Sequence, residues 1–112
     1  MSFDGLPTGL WVQAHLARCN AEGTPVYVVR RGEPGRGMVL LKIVIRGEGC
    51  RVLSQSRGQD GKLGWLAGLS GATVPEPDAD AYIDRAVKRD PDLWVLEVES
   101  RAGEHPFEGK VI

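Results

Sequence analysis

Acidic side chains crowd into one stretch of this chain, Arg89-Asp90-Pro91-Asp92-Leu93-Trp94-Val95-Leu96-Glu97-Val98-Glu99-Ser100-Arg101. Carboxylates that converge on one point beside a lysine can hold a divalent cation and activate water. On an extended segment Asp92 and Glu97 face opposite sides. Glu97 and Glu99 share a side, about 6–7 Å apart at the rise of a strand. Arg101, not lysine, stands two residues beyond Glu99. The competing reading makes Glu97, Glu99 and Arg101 a solvated strand edge whose acids answer bases such as Arg30, Arg31 or Lys42.

A second chemistry needs bases interleaved with aromatics, the pattern that binds nucleic acid on a sheet face. Tyr27 with Arg30 and Arg31, followed by Lys42 and Arg46, comes nearest to it. The paired aromatics of an RNA-binding sheet are missing, and a net charge of −1 argues against non-specific binding of nucleic acid. Charge is nevertheless uneven. Residues 18–62 carry nine Lys/Arg against four acids, and residues 76–108 carry ten acids against four bases. The acidic end is expected to pair with the basic middle inside one fold.

Other motifs carry less. Gly32-Glu33-Pro34-Gly35-Arg36-Gly37 lacks the Lys-Ser/Thr ending of a phosphate loop and lies between strands, so it reads as a turn. No serine has a credible base, and the only two histidines are His15 on the first helix and His105 near the C-terminal end. His15 is expected to be a surface or capping residue. Cys19 and Cys50 have neither disulfide-framework nor metal spacing and read as small buried apolar residues. No catalytic residue, metal ligand or cofactor is therefore expected.

The elements that must position these residues follow from periodicity. A helix is expected over about Gly9–Ala21, capped by Thr8, with Leu10, Ala14, Ala17 and Ala21 beside Val12, Leu16 and Cys19 as a wide apolar face. Val26–Arg31, Met38–Arg46, Cys50–Arg57 and Leu63–Ala67 read as strands joined by glycine turns, which implies an antiparallel meander. Gly68–Pro77 is an irregular loop. A second helix is expected over Ala79–Arg89, capped by Asp78 and buried through Tyr82, Ile83, Ala86 and Val87. Pro91 stops it. The final strand is apolar on both faces as far as Leu96, as in a strand covered on both sides. Residues 102–112 read as a polar tail.

Three segments, in order and spacing, resemble a known family: Leu10-Trp11-Val12 with Arg18-Cys19-Asn20, then Val28-Val29-Arg30-Arg31-Gly32-Glu33, then Arg89 to Arg101. Together they resemble the small alphaproteobacterial domain-of-unknown-function family fourteen ninety-one, over roughly residues 8–104. The resemblance implies a stand-alone cytoplasmic protein of about this length and brings no catalytic residues with it.

The sequence thus predicts one α+β domain over residues 1–112, with residues 1–7 as an irregular lead-in. A mostly antiparallel sheet of about five strands is expected, in the order α-β-β-β-β-α-β, with both helices on one face. Trp11, Leu16, Val28, Leu41, Ile43, Val52, Ile83, Val87, Trp94 and Leu96 are the expected core. No segment reaches the run of about 20 apolar residues that spans a bilayer, and no secretory leader is visible. The expected compartment is the cytoplasm. The functional expectation is a non-enzymatic binding or adaptor domain, with a homodimer through a sheet edge as its expected partner mode. Candidate binding residues are Arg30, Arg31, Lys42, Glu97, Glu99 and Arg101. The alternatives are a metal-dependent protein using Glu97 and Glu99, or a nucleic-acid binder using the basic 30–46 region.

Overall fold

A computed structural model describes residues 2–112. Its elements are α1 (Thr8–Ala21), β1 (Val26–Arg30), β2 (Val39–Ile45), β3 (Gly49–Arg57), β4 (Leu63–Ala67), α2 (Glu76–Arg89), β5 (Trp94–Glu99) and β6 (Lys110–Val111), with a short 3-10 turn at Leu69–Gly71. The class is α+β, as expected. The sheet has six strands in the order β1-β5-β2-β3-β4-β6. β2, β3 and β4 form the expected antiparallel meander. β5 enters between β1 and β2, antiparallel to the first and parallel to the second.

The two helices pack on opposite faces of this sheet, not on one. β2 explains why. Val39, Leu41, Ile43 and Ile45 join Trp11, Val12 and Cys19 of α1, while Leu40 joins Ala79, Ile83 and Ala86 of α2. Successive strand residues point to opposite faces, and β2 is buried on both. A helix must therefore cover each side. The parallel β2·β5 pair also requires a crossover between its strands, and α2 lies on that crossover.

Of the expected core, Trp11, Leu41, Ile43, Val52, Ile83, Trp94 and Leu96 are buried. Leu16 and Val87 are only partly buried, and Val28 is 36% exposed because β1 is the edge of the sheet. Both helices begin earlier than their cap signals suggest. Pro7 and Pro75 occupy the N-cap positions, and neither helix has a side-chain cap bond. Thr8 instead donates its hydroxyl to the Gly37 carbonyl at 2.7 Å. The N–H groups of Thr8 and Gly9 bond the carbonyls of Gly35 and Pro34, so the Gly32–Gly37 turn satisfies the start of α1.

That turn is also pinched against β5. A Cβ on Gly32 would lie 2.2 Å from the Asp92 carbonyl, and one on Gly37 would lie 2.4 Å from the same atom. Only glycine fits at such approach.

The supposed polar tail is a structural strap. Phe107 is buried, and β6 pairs with Gly64 and Trp65 of β4. A single aromatic and a two-residue strand are too short to show as periodicity.

Candidate binding surface

Lys42 is the most buried charge among the described residues, at 6% exposure. Its place on β2 points it to the α2 face. There its Nζ donates to Glu76 Oε2 at 2.7 Å and Asp80 Oδ1 at 2.8 Å, and lies 3.5 Å from Glu97 Oε1. Glu76 and Asp80 are one helical turn apart in the first turns of α2. Glu97 is the residue opposite Lys42 in the parallel β2·β5 register. Burial pushes the lysine toward its neutral form, but the hydrogen bonds to Asp80 and Glu76 outweigh it and hold the ammonium well above its ordinary value. A lysine held protonated and fully hydrogen-bonded is neither a nucleophile nor a base at neutral pH. It occupies the point on which the three carboxylates converge.

The remaining predicted site residues do not join it. Arg30 donates Nη1 to the carbonyls of Pro91 at 2.9 Å and Leu93 at 2.7 Å, pinning the turn after α2. The Arg31 guanidinium lies 5.6 Å from the centre of the Trp94 ring, at cation–π range. Arg30, Arg31 and Lys42 thus serve three separate internal contacts and form no common basic face. Glu99 and Arg101 line a separate cleft of about 630 Å³ with Arg46, Val44 and Pro25. Glu97 and Glu99 are therefore parted in function, although they share a face. No group of three or more His, Cys, Asp or Glu is arranged to hold a metal among the described residues.

The expected pairing of acidic end with basic middle takes an unexpected form. Lys42 meets carboxylates, but Arg18, Arg30 and Arg51 reach backbone carbonyls of Pro106, Pro91 and Leu93, and Gly103. Guanidinium–carbonyl bonds thus tie the chain together alongside the ion pairs of Lys42 and of Arg57 with Asp4.

Sequence reasoning missed a second buried polar centre. His15 is 2% exposed, packed among Phe3, Trp11 and Phe107 with ring centroids 4.3–5.3 Å away. Arg18 Nη2 lies 3.0 Å from its Nδ1, which makes Nδ1 the acceptor and leaves the proton on Nε2. Nε2 lies 3.5 Å from Glu108 Oε1 and has no closer partner. Burial pushes the His15 pKa down against the pull of Glu108. The Glu108 carboxylate also receives Ser2 Oγ, the Phe3 N–H and Trp11 Nε1 at 2.7–3.0 Å. Burial raises its pKa and these donors lower it, with a net depression. This network packs His15 into the α1 face, with Glu108 partly exposed at its outer end. Its one sequence signal was the i,i+4 spacing of Trp11 and His15.

An apolar margin is left uncovered at the β1 edge. β1 is a sheet edge, and its consecutive residues Tyr27, Val28 and Val29 are 54%, 36% and 58% exposed. Tyr27 is paired with Glu97, which puts it on the α2 side. Val29 lines a groove of about 370 Å³ between β1 and α2, with Ile83, Val87 and Val95 as its apolar wall and Asp84 and Lys88 on its rim. The sequence signal for this edge was a strand without a polar face. That signal places Val28 in the expected core, because apolar runs do not distinguish a covered strand from an open one.

The model of a protein family of unknown function, DUF1491, matches residues 6–108. A crystal structure of a DUF1491 family protein from Caulobacter crescentus CB15 is similar, with a TM-score of 0.82 and 36% identity over 96% of this chain and 99% of that one. An NMR structure of a DUF1491 family protein from the same organism gives 0.80 and 40%, covering 96% of each chain. The solution structure of protein Atu0922 from A. tumefaciens shares the fold, with a TM-score of 0.71 at 19% identity over 92% of this chain and 98% of that one. None of the curated proteins matches.

Proposed function

The chain belongs to the DUF1491 family, and on that footing we propose that it is a one-domain, non-enzymatic binding protein whose binding surface is the β1 edge with the adjoining groove. One observation carries the reading. Tyr27, Val28 and Val29 are exposed side by side on an unpaired edge next to an apolar groove. Sheet edges are normally blunted by lysine, proline or a covering segment, and β1 has none of these between Val26 and Val29. An exposed edge beside an apolar groove suits strand addition, in which main-chain bonds give affinity and the groove reads side chains. The partner is an extended protein segment of low charge, since Asp84 and Lys88 offset each other on the rim. A homodimer through this edge is one form of it.

Two buried groups that could do chemistry are committed internally, Lys42 to three carboxylates and His15 to the aromatic cluster, and this supports the reading. The reading places the protein in the reducing cytoplasm. Cys19 and Cys50 are free and buried, and burial pushes both thiols up, as suits inert packing residues. No helix is long and apolar enough to cross a membrane.

Amide-resolved NMR with a synthetic peptide of alternating Val and Thr tests the proposal. Shifts confined to Val26–Arg30 and the Ile83–Lys88 side of α2 are expected. A titration that leaves those amides unmoved removes strand addition. Mn²⁺ in the same experiment should leave Glu97 and Glu99 unbroadened, and selective broadening there would restore the metal reading.

A further inference from the structure

We propose that the occupant of the β1 edge is β1 of a second copy, paired antiparallel about a two-fold axis that passes by Tyr27. This rests on the strand-addition reading above and commits it to one partner.

The backbone fixes the register. Glu99 N–H donates to the Pro25 carbonyl at 3.4 Å, and Tyr27 stands opposite Glu97. In an antiparallel ladder, bonded and non-bonded pairs alternate. Pro25 and Tyr27 therefore turn their polar groups toward β5, and Val26 and Val28 turn theirs outward. Two outward positions flanking one residue are symmetric about that residue. Val26 of each copy then bonds Val28 of the other, and the two Tyr27 residues face each other as a non-bonded pair, where cross-strand side chains lie closest. The irregularity between Val28 and Arg30 ends the pairing there, which defines a short and reversible contact.

The flanking surface fits a copy of itself better than a charged partner. Asp84 and Lys88 lie one turn apart beside the groove. A two-fold axis normal to the sheet reverses α2, so the acid of one copy lies toward the base of the other. Arg30, the other base at the groove, is already spent on the carbonyls of Pro91 and Leu93. The apolar wall of Val29, Ile83, Val87 and Val95 receives the Tyr27 ring of the twin, which is otherwise 54% exposed. An isologous contact of this kind closes at two copies and leaves no further edge at β1.

Sedimentation of the wild-type chain across about a hundredfold range of concentration should show the mass rising from one chain toward two. Tyr27→Lys, an exposed position, should keep the far-UV spectrum and weaken association at least about tenfold. Val28→Pro removes an outward N–H and should do the same, with Tyr27→Lys deciding if that variant does not fold. A wild-type chain that stays single across the range overturns the proposal, and so does a Tyr27→Lys chain that associates as wild type does. In the single-chain case the Val-Thr peptide separates the two readings. If it shifts the Val26 and Val28 amides, strand addition stands and self-pairing falls; if it does not, both fall.

Discussion

The two faces of the sheet are built on different principles. The α1 face holds the large rings: Trp11, Trp65, Trp94 and Phe107 in one cluster, with His15 among them and a carboxylate that collects three donors. The α2 face is made of smaller aliphatic groups, Leu40, Val52, Ala79, Ile83, Ala86 and Val95, around a buried ammonium. The first face is covered by α1 and by the strap around Phe107. The second is closed over β2 and β3 but left open over β1. Large rings need a lid to exclude water, and here the lid comes from far along the chain. A short aliphatic layer can end early and leave a usable margin. The difference predicts that the first face carries most of the stability, and it leaves the margin at β1 for the association proposed above.

The sharpest way to break this contrast is to cut a ring from the closed face. Trp65 is fully buried, and its Nε1 donates to the Glu108 carbonyl at 2.9 Å, so it joins the core to the strap. Trp65→Ala should cost about 4 kcal/mol in urea unfolding and detach residues 104–112 as judged by limited proteolysis. A loss under about 1 kcal/mol would show that the closed face is not the stabilising one.

The next largest effect belongs to the open face. Lys42→Met keeps the aliphatic volume but leaves Glu76, Asp80 and Glu97 facing one another. About 2 kcal/mol of destabilisation is expected by thermal unfolding, less than for a fully desolvated pair because Glu76 and Asp80 are about half exposed. Pairing Lys42→Met with Glu97→Gln should recover part of the loss if the carboxylates are what the ammonium balances.

The smallest effect is a pH response confined to the closed face. The His15 pKa is lowered in the fold, first by burial, so the unfolded chain binds the proton more readily. Stability is then full above the ordinary histidine value of about 6.5 and falls as pH drops below it. The depressed Glu108 acts in the same direction further down, with its contribution present above the ordinary glutamate value and lost as pH falls through its folded value. His15→Phe should flatten the upper part of that decline in unfolding midpoints measured from pH 7 to pH 5. An unchanged slope would place the titration elsewhere, with His105, whose pKa burial also lowers, as the first alternative.

The sequence makes the local elements legible, and much less of how they meet. Each strand of the meander and both helices show in periodicity, because those patterns are local. The burial of both faces of Trp94–Leu96 was legible too, and taken seriously it requires a helix on each side. What could not be read was where β5 goes. Its insertion between β1 and β2 turns Glu97 from an edge residue into the central partner of Lys42, and turns Val28 from core into edge. The pairing of Lys42 with Glu97 was expected on charge grounds. Glu76 and Asp80 join it only because α2 begins at Glu76, ahead of the Asp78 cap signal. His15 and Glu108 are 93 residues apart in the chain, and nothing local marks either as the other's partner.

The position of β5 also sets an order of events during synthesis. Until residues 94–99 have left the ribosome, β1 has no neighbour and β2 has one bare side, so an interior strand of the sheet is made after every other strand but β6. The meander of β2, β3 and β4 can form from near neighbours, but β1 must wait for a partner about 70 residues downstream, a separation that slows folding. In that interval Val26-Tyr27-Val28-Val29 is a bare apolar strand attached to a half-built sheet, the kind of segment that pairs with the wrong chain. The strand left exposed at the sheet edge of the finished protein is thus also its main hazard while the protein is being made.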